Sequence, residues 1–159
     1  MKEIVADLRS APHELASLVA GLSAEQLTTQ YISGEWTIAQ NIHHLADSQL
    51  TLFFRFKLVL LVENPVLQPF DQDEWALSSD SMHPDISGSL AIISGVHSRL
   101  AYLVDELQDE QLERTGLHPE NGTIVLKELA AYIANHAYLH IEQIKQSMAV
   151  PEFSIQANI

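Results

Sequence analysis

Two histidines, His136 and His140, stand one helical turn apart in a run whose buried positions step by three and four: Leu126, Leu129, Ile133, His136, His140, Ile144. That spacing puts their Cβ atoms roughly 5–6 Å apart on one helix face, within reach of a single metal ion. Neutral imidazole is a ligand for Zn, Ni, Mn or Fe. The competing reading is a pair of core histidines, each hydrogen-bonded to a neighbouring helix. A third histidine shifts the balance towards metal. His44 borders the apolar stripe Ile38, Ile42, Leu45, Gln49, Leu52, Phe56, Val59 of an earlier helix. If those two helices are neighbours, three imidazoles converge at one level with coordination positions left open, as in catalytic rather than closed structural sites. The expected ligands are His44, His136 and His140, and the expected cofactor is one divalent ion.

Residues around the triad have candidate roles of their own. His43 leaves its helix about 100° from His44, so only one of the two can ligate. His44 is preferred because Asp47 and Ser48 follow on its side and can supply outer contacts. The polar stripe Asn41, His44, Ser48, Thr51, Arg55 is either the wet edge of an amphipathic helix or the wall of a pocket. Arg55, one of few cations, suits a substrate carboxylate, or else lies along the surface. His97 occupies the seam of a third helix, with Leu90, Ile93, Leu100, Val104 and Leu107. It is expected to act catalytically as base or hydrogen-bond donor, or to bond a backbone carbonyl in the core.

Four long amphipathic segments position these side chains. With no convincing strand alternation, they predict an all-α four-helix bundle, one domain over residues 1–159 with a tail after about 150. On the first segment Ile4, Leu8, Ala11, Leu15, Leu18 and Leu22 share a face, and Pro12 predicts either a helix start or a kink. Ser23 with Gln26, and Thr37 with Gln40, have capping-box spacing. The second of these opens a helix of ~25 residues, roughly 37 Å, ending just before Asn64-Pro65. Prolines at 65 and 69 lie in a long connection between helices 2 and 3 that suits a crossover, with a short turn at Asp73-Glu74-Trp75. Residues 109–122 lead to the fourth helix, which ends before Pro151.

Twenty-one acidic residues against eight basic ones give a net charge of −13. That balance repels phosphate backbones and anionic lipid, so neither nucleic acid nor a membrane is an expected partner. The absence of Cys excludes disulfides, thiolate metal sites and a protein thiol nucleophile. The most apolar run, 52–62, is broken by Arg55 and Lys57 and is too short to span a bilayer. Residues 1–7 lack the apolar core of a signal peptide, so a cytoplasmic location is expected.

The run Trp36-Thr37-Ile38-Ala39-Gln40-Asn41-Ile42-His43-His44-Leu45-Ala46-Asp47-Ser48 resembles the Trp-x7-His-Leu-Ala-Asp signature of the DinB/YfiT superfamily. Arg55-Phe56-Lys57-Leu58, Asn64-Pro65, Pro69-Phe70-Asp71, Trp75, His118-Pro119 and the terminal His-x3-His are similar to its YfiT branch. The resemblance covers about residues 3 to 148. It implies an up-down-down-up bundle, often a homodimer, with the metal triad on His44, His136 and His140. Tyr138 and Leu139 stand where such proteins are richer in His, which leaves the ligand set intact.

A divalent ion on three neutral imidazoles keeps most of its charge and lowers the pKa of a nearby thiol or water. Without Cys in the chain, a nucleophilic sulfur has to come from a cosubstrate. Members of the branch include bacillithiol S-transferases, and relatives elsewhere use mycothiol or glutathione. The resemblance therefore implies a metal-dependent S-transferase joining a low-molecular-weight thiol to an electrophilic small molecule. Two alternatives stand beside it: a metal-dependent amide or ester hydrolase, and a non-enzymatic metal-binding or sensing module. Open positions facing a cavity favour catalysis, whereas a sphere closed by a carboxylate favours bracing.

Overall fold

The structure, a computed structural model, describes residues 1–156. In chain order the elements are α1 (Lys2–Leu18), α2 (Ala24–Thr28), α3 (Ile38–Leu61), α4 (Gln72–Ala76), α5 (Ser87–Glu106), α6 (Asp109–Leu112), β1 (Thr115–His118), β2 (Gly122–Val125), α7 (Leu126–Met148) and α8 (Pro151–Gln156). Both capping boxes form. The Ser23 and Thr37 hydroxyls accept from the backbone N–H of Gln26 and Gln40, each at 3.1 Å, and both glutamines return the bond.

Each of α1 and α3 packs against both α5 and α7. The first half of α1, the second halves of α3 and α5, and the first half of α7 share one apolar cluster around Leu8, Phe56, Leu100 and Ile133. The opposite halves share a second, around Leu15, Ile42, Ile93 and Ile141. Taking α1 as up, α3 and α5 both run down and α7 runs up. Parallel neighbours α3 and α5 cannot be joined by a tight turn, so the 62–86 connection has to cross the length of the bundle.

Pro12 neither starts nor breaks α1, which runs through it. A proline lacks the N–H that would bond the carbonyl four residues back, so the Leu8 carbonyl is left free. His97 fills the gap, with Nδ1 3.0 Å from the Leu8 oxygen.

One element departs from the all-α expectation. Residues 115–125 form an antiparallel hairpin, Thr115 opposite Val125 and His118 opposite Gly122. Gly122 has φ 74°, the left-handed conformation that a tight turn requires and glycine adopts without strain. The crossover joins this hairpin through Leu67 N to Leu117 O (2.8 Å) and Leu117 N to Pro65 O (2.9 Å). Gly116 lets it sit against α3, since a Cβ there would lie 2.9 Å from Val59 Cγ2. The stretch expected as a tail holds α8, whose Phe153 meets Tyr31 edge-on at 5.2 Å; its last residues, 157–159, lie outside the described residues. Among the described residues no helix is long and apolar enough to cross a membrane.

Candidate metal centre

Antiparallel packing of α3 on α7 sets His44 opposite His136 and His140. All three are buried, at 3%, 8% and 6% exposure. One nitrogen from each ring lies within 4.8 Å of the other two. His136 Nε2 and His140 Nε2 are 3.1 Å apart. Two nitrogens held at about 2.0–2.1 Å from one ion, at angles between right and tetrahedral, lie about 2.8–3.4 Å from each other, so this separation fits shared ligation. Both nitrogens of His44 and Nδ1 of His136 are buried without a hydrogen-bond partner. Buried polar atoms are ordinarily satisfied, and leaving one unmade costs about 1–3 kcal/mol. A cation in the cluster answers that deficit at the converging nitrogens.

The tautomer of His140 is fixed from α3. The Asn41 amide nitrogen donates to the carbonyls of Thr37 (3.0 Å) and Trp36 (3.4 Å), which turns its Oδ1 towards α7. His140 Nδ1 donates to that oxygen at 2.9 Å, so its Nε2 carries the lone pair. The electrostatics point the same way. Burial, then the neighbouring His136, pushes the His44 pKa down to about 4. Burial brings His136 to about 4. Burial, with His136 and His44 adding, brings His140 to about 3. All three rings are therefore neutral and ligand-ready at neutral pH.

Aromatic rings wall the cluster. Trp36 lies 4.7 Å from the His44 ring and stacks on His140 at 6.3 Å and 9°. Phe70, delivered by the crossover, stacks on His44 at 6.1 Å and is braced edge-on by Trp75 at 4.9 Å. Two chambers of about 380 Å³ each open beside the cluster. One is lined by His44, His136, Ser48, Arg55, Phe70 and His118 among others. The other is lined by His136, His140, Asn41, Trp36 and Gln143 among others. His136 and Gln72 belong to both walls.

The structure thus brings His44, His136 and His140 together, with Ser48 and Arg55 in the wall of the first chamber. It does not bring Asp47 or His97 there. Asp47 lines a separate recess with His43, Asp80 and His83, where burial and the Asp80 charge raise its pKa against the opposing pull of His43. His97 is fully buried, lines none of these chambers, and is engaged with Leu8. Of its two expected roles His97 makes the backbone-carbonyl bond, at the turn that Pro12 interrupts, with its Nε2 buried and unpartnered. Asn41 belongs to the polar stripe expected as wet edge or pocket wall, and Trp36, Phe70 and His118 to the motif residues, with no individual role foreseen for any of them. Asn41 is the one a local signal could have found, because it precedes His44 by one turn in the polar stripe.

The family model of the DinB superfamily matches residues 7–144. A relative from Oceanobacillus iheyensis, named as a candidate metal-dependent hydrolase, is 39% identical over 144 residues, covering 91% of this chain and 83% of its own. YfiT of Bacillus subtilis, named in the same way, is 37% identical over 145 residues, covering 89% and 82%. The solved structure of that YfiT, described as a probable metal-dependent hydrolase with an unusual four-helix bundle topology, superposes with a TM-score of 0.86 over 92% of this chain and 85% of that one. A mycothiol-dependent maleylpyruvate isomerase shares the fold, with a TM-score of 0.68 at 15% identity over 90% of this chain and 60% of that one. On the family match and these relatives, the chain belongs to the DinB superfamily.

Proposed function

We propose that the protein is a metal-dependent S-transferase that joins a low-molecular-weight thiol to an electrophilic small molecule. The observation that carries this reading is the pair of chambers meeting at one three-histidine cluster, with His136 in both walls. A hydrolase needs room for one organic substrate, since water is the other; a transferase needs room for two. His44, His136 and His140 would hold one divalent ion, Zn, Ni, Mn or Fe. Bound there, the ion supplies the positive charge that lowers the pKa of a thiol beside it.

This chain's own residues do the rest. Asn41 keeps the His140 lone pair on Nε2, and Trp36 and Phe70 stack on His140 and His44. The nucleophilic sulfur belongs to the cosubstrate, because the protein has no Cys. In the balanced reaction the thiol loses its proton and the sulfur lone pair forms a C–S bond. The bond from carbon to the leaving group breaks, and the departing group takes its electron pair and, in sum, the proton. The names of the Bacillus and Oceanobacillus relatives favour hydrolysis as a second reading, and Glu120 and Glu128 in the first chamber could serve it as bases. The test sets bacillithiol, mycothiol, glutathione and water against a haloarene and a panel of esters and amides, on metal-loaded and chelated protein. Thiol-dependent, chelator-sensitive loss of the haloarene supports transfer. Ester or amide cleavage without thiol dependence replaces it with hydrolysis.

A further inference from the structure

The first chamber extends from the histidine cluster along α3 to Arg55, eleven residues beyond His44 and roughly 16 Å further along the axis. The tilt of a helical Cα–Cβ bond towards the N-terminus shortens that span. One end of the Arg55 guanidinium is tethered to the Gln68 carbonyl of the crossover. Its Nε is buried with no partner. Among the described residues no carboxylate lies within ion-pair distance of it, as is also true of Lys2, Lys57, Arg99 and Arg114, and Glu120 in the same wall acts on it through its charge alone. Arg114 spends its guanidinium on the Val59 and Val62 carbonyls and Arg99 lies over the Phe53 ring, whereas Arg55 stands in a chamber wall with its Nε unpartnered, a position suited to an anion from outside.

A second donor stands in the same wall. His118, buried at the hairpin turn, accepts the backbone N–H groups of Glu120 and Asn121 on its Nδ1, both at 3.3 Å. With Nδ1 accepting, Nε2 is left as the donor of the ring. A guanidinium and an imidazole N–H together match a carboxylate. Glu120 and Glu128 line the chamber too, both exposed, and their charge disfavours a polyanion. We infer that this chamber takes an elongated monoanionic or zwitterionic carboxylate, its carboxylate on Arg55 and His118 and its other end at the histidine cluster. The inference rests on reading that cluster as the reaction centre.

The probes are 3-(4-mercaptophenyl)propanoate and its methyl ester, which share shape and thiol and differ in charge. Calorimetric titration into zinc-loaded wild-type protein should show the acid binding about tenfold tighter than the ester or better. Arg55→Gln should remove the difference and Arg55→Lys should keep part of it, with zinc content unchanged in both. The wild-type comparison needs no variant, so a misfolded Arg55→Gln leaves the test intact. Equal affinities of acid and ester, an acid preference that survives in folded Arg55→Gln, or no binding of the acid at millimolar concentration would each overturn the inference. Acid preference without any transfer activity would overturn the transferase reading alone and leave this site standing.

Discussion

His43 and His44 are consecutive, both buried, on one helix, and their surroundings are opposite. His43 spends both nitrogens on the fold: Nδ1 is 2.8 Å from Ser89 Oγ at the start of α5, and Nε2 is 2.8 Å from the His83 carbonyl. It fastens α3 to the end of the crossover. His44 has neither nitrogen satisfied and faces two more imidazoles across the α3–α7 interface. Burial is common to the two, so burial does not distinguish them. The distinguishing property is whether the protein itself completes the hydrogen bonding. His43, completed by Ser89 and His83, is part of the fold; His44, left unpartnered on both nitrogens where the rings of His136 and His140 converge, fits a place completed by a ligand.

The largest effect that separates the two situations is expected in acid. In the metal-free protein the pKa values of His44, His136 and His140 lie near 4, 4 and 3, against 6.5 in the unfolded chain. Below about 6.5 the unfolded chain therefore binds protons that the folded cluster refuses. Stability should hold above that pH and fall as pH drops from 6.5 to between 4 and 3. Each histidine contributes a slope of up to about 1.4 kcal/mol per pH unit. Thermal denaturation of metal-free protein at a series of pH values measures it, and His44→Leu should flatten the fall. A melting temperature constant down to pH 4.5 would break the account of the cluster as buried and neutral.

Next in size is the direct comparison of the neighbours. His44→Ala, His136→Ala and His140→Ala should each weaken Zn²⁺ binding by about 100-fold or more in chelator competition. His43→Ala should change it by less than about threefold while lowering folding stability by about 1–3 kcal/mol. Equal loss of metal at 43 and 44, in variants folded by circular dichroism, would erase the distinction.

Asn41 sharpens it. Asn41→Ala removes the acceptor that fixes the His140 tautomer and should weaken Zn²⁺ binding by about 10–100-fold. An unchanged affinity would mean that the tautomer is set some other way.

The smallest effect concerns His97. His97→Leu should cost about 1–3 kcal/mol by stranding the Leu8 carbonyl. The loss should shrink in a Pro12→Ala background, where a backbone N–H is restored to that carbonyl. Turnover should stay within about threefold of wild type, against the 10²–10⁴-fold loss typical of a missing general base. Loss on that scale with metal content intact would return His97 to the reaction.

The triad was legible in the chain because an imidazole in a leucine's place violates a periodic pattern, and it does so twice on α7 and beside the seam of α3. The boundaries of α3 were legible through Thr37, Gln40 and the Asn64-Pro65 stop, and α3 ends at Leu61. The hairpin escaped because four-residue strands are too short to show alternation, although Asn121-Gly122 is a turn signal. Asp47 was ambiguous by helical angle, about 40° from His43 and about 60° from His44. What decides it is the Asp80–His83 segment, remote in sequence, with which it shares the recess. The jobs of Asn41, Phe70 and His97 likewise depend on partners at 140, 44 and 8, and no local pattern encodes such pairs.

The measurement that bears most directly on the centre is a cobalt titration followed by thiol. Co²⁺ added to metal-free wild-type protein should bind at about one per chain with visible absorption of a low-coordinate site. Adding a small thiol should then produce a sulfur-to-cobalt charge-transfer band in the near ultraviolet, absent in His44→Ala. A cobalt spectrum that no thiol alters would show a closed sphere, and would contradict the claim that these three histidines leave a position open for sulfur.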